Sequence, residues 1–175
     1  MMKKLLVACA ALALSVPAVA QPPQEAPGPE HKALSKFVGT WKVEGKVNPG
    51  LMGPGGPFSG SETCRIFEGG FHLVCDSKGT GALGNMTGHM VLTWDRSAKS
   101  YRFFSVNNMA DAEHGTGAVK GNTWTFNSSM DMGGKKISSR FTMVEMSPTV
   151  HTMTFDVSED GKKWTTLMEG KSTKQ

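Results

Sequence analysis

From Thr40 almost to its end the chain alternates apolar and polar residues with a period of two. Turn residues interrupt the pattern about every ten positions, which is the signature of many short antiparallel strands. The alternation predicts strands over 40–47, 57–67, 71–78, 86–95, 100–108, 113–119, 123–131, 135–146, 148–157 and 162–171. Their connections carry turn chemistry: Asp95-Arg96-Ser97-Ala98-Lys99, Lys120-Gly121-Asn122, Met132-Gly133-Gly134 and Glu159-Asp160-Gly161-Lys162. The last of these is read as an Asp-Gly hairpin. No helical pattern interrupts the strands, so the fold class is all-β. Consecutive tight hairpins favour up-and-down order over Greek-key crossings. Closure into a barrel of about ten strands would remove the edges that so many strands otherwise expose.

The same period sorts the faces. Met86, Gly88, Met90, Leu92 and Trp94 share one face of their strand, opposite Thr87, His89 and Thr93. Phe103, Phe126, Phe141, Met143 and Phe155 fall on the corresponding faces of later strands, interspersed with Ser105, Ser128 and Ser139. Such a mixture lines a cavity, or packs solid with large and small residues alternating. Both remain open. If the barrel is hollow, Met90, Phe103, Phe126, Phe141, Met143 and Phe155 are the candidate ligand-binding residues, and a cavity of several hundred Å³ is expected.

Ahead of the strands lie three short segments. Lys3 and Lys4 precede the apolar run LLVACAALALSV, which ends at Ala18-Val19-Ala20, the pattern of a secretory signal peptide cleaved after Ala20. Residues 21–30 are a proline-rich linker, and 31–175 form the barrel domain. Within that domain, Ala33, Leu34, Phe37 and Val38 line one side of a short helix over 31–38. Cleavage implies a periplasmic or secreted protein. The formal charge of +4 includes both leader lysines, so the mature surface is nearly balanced. It has no basic run with interleaved aromatics, which argues against nucleic acid. No stretch beyond the leader is apolar enough to span a bilayer.

Two cysteines remain after cleavage, Cys64 and Cys75, placed symmetrically about Gly69-Gly70. A two-residue turn there pairs 68 with 71, 66 with 73 and 64 with 75. A cross-strand disulfide follows, although this register makes 64 and 75 a hydrogen-bonded pair, whose wider spacing suits the bridge less well. Two buried free thiols are the alternative.

Several motifs point away from catalysis. Gly79-Thr80-Gly81-Ala82-Leu83-Gly84 spells G-x-G-x-x-G, but a strand follows where a nucleotide site needs a helix. The Gly/Pro stretch from Asn48 to Pro57 reads as a loop over one mouth, either a lid or a plain connection. His31, His72, His89, His114 and His151 are scattered, with no spacing that builds a metal centre. A soft copper site around His151 and Met153, or a haem on His151, His89 or His114, lacks a clustered ligand set. No nucleophile elbow is present, and Asp111, Glu113 and His114 read as solvated polar residues. The sequence therefore names no catalytic residue, no metal ligand and no cofactor.

The stretch from His31 to Gly45 carries a resemblance. Phe37-Val38-Gly39-Thr40-Trp41 resembles the G-x-W element that opens calycin (lipocalin-like) barrels. The ordered set His31-x-x-Leu34, Phe37-Val38-Gly39-x-Trp41, Glu62-Thr63, Thr93-Trp94-Asp95 and Lys99-x-Tyr101 resembles the bacterial domain of unknown function 1579 family over residues 31–171. The resemblance implies a calycin-like barrel with Trp41 and Gly39 in structural roles at its closed end, and transfers no catalytic residue. The expected function is non-enzymatic binding of a small apolar or amphipathic ligand. A cell-envelope structural or interaction module with a filled barrel is the other reading.

Overall fold

The computed structural model describes residues 25–132 and 134–175. The predicted signal peptide and most of the linker lie outside these residues. Ten strands close into one antiparallel barrel, each paired with its sequence neighbours and β1 paired with β10. They are β1 (Gly39–Val47), β2 (Gly56–Ile66), β3 (His72–Gly81), β4 (Gly84–Asp95), β5 (Ser100–Asn107), β6 (Ala112–Lys120), β7 (Thr123–Met132), β8 (Lys135–Ser147), β9 (Val150–Ser158) and β10 (Thr165–Lys174). This is the expected up-and-down order.

Local chemistry moves the boundaries. The G-x-G-x-x-G run is a continuous hairpin, with Gly81 pairing Gly84 and only Ala82-Leu83 in the turn. β10 begins at Thr165, later than expected, because Asp160 Oδ1 accepts from the amides of Lys162 and Lys163, both at 2.8 Å. That side chain-to-backbone turn holds the preceding segment out of the ladder. Leu167 is a bulge between Thr166 and Met168. It is buried, which adds an extra side chain to the core at that point.

The helix begins at Pro29, inside the stretch read as linker, and gives way to a 3-10 turn over Leu34–Phe37. Proline suits the first helical position because its missing N–H is unpaired there in any case. His31 Nδ1 accepts from the Gly28 amide at 3.3 Å, satisfying a donor ahead of the first turn. Residues before the helix are held too: Arg96 donates to the Ala26 carbonyl at 2.8 Å and pairs with Glu25.

The β2–β3 hairpin keeps the predicted partners, with Ile66 opposite Leu73 and Cys64 opposite Cys75. The turn itself is wider. The Phe67 amide donates to the His72 carbonyl at 2.8 Å and the Gly70 amide to the Phe67 carbonyl at 3.0 Å, leaving residues 68–71 in the loop. With 67 and 72 hydrogen-bonded, the alternation makes 64 and 75 a non-hydrogen-bonded pair. Their Cα atoms are 4.1 Å apart and the disulfide is formed. The geometric objection from the two-residue turn therefore disappears.

Two groups of buried side chains fill much of the lumen. Leu34, Phe37, Cys64, Leu73, Cys75, Leu92, Tyr101, Trp124 and Phe126 pack beneath the helix. Ile137, Val157 and Leu167 pack at the other end, with Met52 from the 48–55 loop laid against them. That loop therefore covers part of the mouth opposite the helix.

Candidate functional site

At the closed end, Trp41 is buried and stacked on His151, ring centres 4.3 Å apart, and its Nε1–H donates to the Phe37 carbonyl at 2.8 Å. Trp124 donates through Nε1 to Glu145 Oε1 at 2.5 Å, and Lys36 closes on the same carboxylate at 2.9 Å. Burial alone would raise the Glu145 pKa, but the hydrogen bonds from Lys36 and Trp124 hold it below the ordinary carboxylate value. Burial is also the main influence on His151 and pushes its pKa down, favouring the neutral ring. Gly39 sits at φ +124°, and a side chain there would meet Lys174, so this position is restricted on two counts. This end is a packed plug with every polar atom of Trp41 and Trp124 satisfied.

The six candidate ligand residues occupy inner-face positions. Met90, Phe103, Phe126, Phe141 and Met143 belong to or pack against the cluster beneath the helix, and Phe155 packs against the second cluster. Phe103 meets Phe126 edge-on at 5.8 Å, and Phe126 meets Phe141 at 6.5 Å. The rings fit because Gly115 and Gly117 face them. A Cβ at Gly117 would come within 2.4 Å of the Phe126 ring, and one at Gly115 within 2.6 Å of Phe103. On this side the lumen is filled by its own aromatics.

Open space lies on the other side. A cavity of about 170 Å³ is bounded by β1–β4 and β10 at the mouth away from the helix, with Val43, Val47, Phe58, Met86 and Met168 among its walls. None of the six candidates lines it. Its wall is rich in glycine: Gly60 pairs with Gly79 on the inner face and Gly81 with Gly84 beside the turn, while Gly45 and Gly170 pair on the inner face of β1 and β10 outside this wall. The backbones approach so closely that a Cβ at Gly45 would lie 2.3 Å from the Glu169 carbonyl oxygen, and one at Gly60 2.4 Å from that of Lys78. The glycines of the cavity wall present no side chains to fill the space. The volume is below the several hundred Å³ of drug-sized sites. It is comparable to an engineered cavity of about 150 Å³ that admits benzene.

Glu62 stands in the wall of this cavity. It is paired across the ladder with Trp41 on β1 and Ser77 on β3. Burial raises its pKa above the ordinary value of 4.5. Its Oε1 lies 3.1 Å from Cys64 Sγ, a contact that cannot be a hydrogen bond because the disulfide sulfur carries no hydrogen. Ligand atoms of Glu62, Cys64 and Cys75 fall within 4.8 Å of one another, but sulfurs bonded to each other offer no thiolate to a metal. A second acid also faces inward. Glu113 accepts from Ser139 at 3.0 Å and from Ser128, which corrects its reading as a solvated residue. The signal for both acids was the alternation itself: Glu62 shares a face with Cys64 and Ile66, and Glu113 with Gly115 and Gly117. The remaining histidines stay apart, with His89 on the outer face beside Asp76 at 2.7 Å.

Solved structures share the architecture. Rv2717c from M. tuberculosis superposes with a TM-score of 0.59 at 13% identity, covering 85% of this chain and 98% of that one. The S-type phycobiliprotein lyase CPES from Guillardia theta does so with a TM-score of 0.58 at 9% identity, covering 82% of this chain and 91% of that one. At such identities the likeness concerns the fold. No curated protein matches the sequence. The G-x-W opening, the Trp41 plug and the closed ten-strand barrel agree with a family model that matches residues 26–174, and the chain belongs to the family described as Protein of unknown function (DUF1579).

Proposed function

We propose that the protein is a non-enzymatic binding protein for a small amphipathic molecule, taken up at the mouth opposite the helix. The observation that carries this reading is the cavity of about 170 Å³, with its apolar walls and single carboxyl. The size favours a short chain or a single ring, with any remainder projecting through the mouth. The leader-like N-terminus and the Cys64–Cys75 disulfide support a periplasmic or secreted location, since such bridges persist in oxidising compartments. The aromatic packing of Phe103, Phe126 and Phe141 favours a second reading, a filled structural or interaction module of the envelope.

Titration with 1-hexanol, followed through the methionine methyl resonances, separates the two readings. A binding protein shows saturable shifts at Met86 and Met168, with Met143 and Met90 little changed. A filled module shows no saturable shift at any of the four. Native mass spectrometry of protein purified from its own envelope then reads the mass of any natural occupant.

A further inference from the structure

We propose that Glu62 sets the specificity of this cavity, selecting ligands that carry a protonated amine or similar compact organic cation on a short apolar body. The inference rests on the binding reading above and goes beyond it by assigning the charge of the ligand. Three observations lead to it.

Glu62 lines the cavity, and the polar neighbour of its Oε1, at 3.1 Å, is a disulfide sulfur that cannot donate. Glu62 is half-buried, and a carboxylate there with no protein donor gains from a ligand that brings one. The one lysine around the cavity, Lys78 of β3, is exposed and falls on the outer-facing set of the alternation, paired with Ser61. Inward positions beside Glu62 are Trp41 and Val43 on β1, Cys75 and Ser77 on β3, and Met168, Gly170 and Ser172 on β10. The nearest inward lysine along these strands, Lys174, lies at the closed end with its ammonium 5.5 Å from the centre of the Trp41 ring. Finally, the other carboxyls of the interior are already served, Glu113 by Ser128 and Ser139 and Glu145 by Lys36 and Trp124. Among the described residues Glu62 is thus the interior acid that lacks a donor, and it is the one that meets the open space. An ammonium group supplies several N–H donors and the missing charge at once. The apolar walls then cover the attached carbons. Burial raises the Glu62 pKa, and because an ammonium pairs with the ionised carboxylate, its affinity should rise with pH through the Glu62 titration.

The test uses the oxidised chain and three probes of equal length: hexylamine, 1-hexanol and hexanoate. Hexylamine should bind about ten- to a hundredfold more tightly than hexanol at neutral pH, the range for a hydrogen bond to a charged group, with hexanoate weakest. In Glu62→Gln, which keeps the side-chain shape, the amine preference should vanish while hexanol affinity stays within a few-fold. On wild-type protein, lowering the pH through the Glu62 titration should weaken hexylamine and leave hexanol unchanged. Hexanol binding as tightly as hexylamine, or a preference that persists in Glu62→Gln, overturns the assignment while leaving the cavity reading standing. Failure of all three probes to bind overturns both. The pH series needs no variant, so it decides the matter even if Glu62→Gln folds poorly.

Discussion

The packing of His151 couples its titration to the stability of the fold. Its ring is sandwiched at the closed end by Trp41 and Phe37, with Glu145, Lys36 and Lys174 as the charged groups acting on it. Because burial lowers its folded pKa below the ordinary 6.5, the unfolded chain binds the proton more readily. Stability is therefore full above pH 6.5 and declines as pH falls from there towards the folded value. Glu145, also lowered, adds a loss of the same sign below about pH 4.5. Glu62 runs the other way, since a raised carboxyl destabilises the fold once it ionises. Denaturant melts at a series of pH values should show the decline below pH 6.5 in wild type and its disappearance in His151→Phe, which keeps the stack and removes the titration. Trp41 makes the larger packing contribution. It is 3% exposed and hydrogen-bonded to Phe37, so Trp41→Ala should destabilise by about 3–5 kcal/mol. The cost should appear in chemical denaturation, with the Met86 and Met168 environment of the folded protein little altered.

Among the elements, the β2–β3 hairpin shows how far local symmetry reaches. Equal spacing of Cys64 and Cys75 about Gly69-Gly70 sufficed to pair them, because register depends only on where the turn is centred. Which kind of pair they form depended on whether the loop holds two residues or four, and that followed from the Phe67–His72 hydrogen bond. The bridge closes a short loop, and replacing both cysteines by alanine should destabilise by about 2–3 kcal/mol in the chain-entropy account. Urea melts of the double variant should show that loss, matched by wild type under reducing conditions. The helix was legible from Leu34 and Phe37, both buried as expected. Its true start at Pro29 was hidden because a proline-rich stretch reads as linker until the contacts of Glu25 and Ala26 with Arg96 are known.

At the scale of the whole barrel, the lumen is divided between a side filled by aromatics and a side kept open by glycines. Val43 borders the open side, and Val43→Phe should fill it. Filling a void commonly adds about 0.5–2 kcal/mol of stability, while hexanol and hexylamine binding should be lost together. Raised melting temperature with unchanged probe binding would place the ligand elsewhere. The six candidate ligand residues fall on the inner face, yet none lines the cavity: five lie on β5 and β7–β9, and Met90 sits further along β4 than Met86, which does. Periodicity separates inside from outside, but it carries no information about which inward side chains meet across the lumen.

The strand number, the two faces, the up-and-down order and the register that sets Cys64 opposite Cys75 were legible in the sequence alone. Each came from a period, a turn or a spacing within neighbouring segments. The Trp41 plug was implied by the resemblance of its G-x-W element. Only the tertiary structure decided that Gly60, Gly79, Gly81 and Gly84 share one wall of a cavity, and that Glu62 stands in that wall without a protein donor. Those facts depend on closure, which brings strands distant in the chain to one wall and fixes what each side chain can reach.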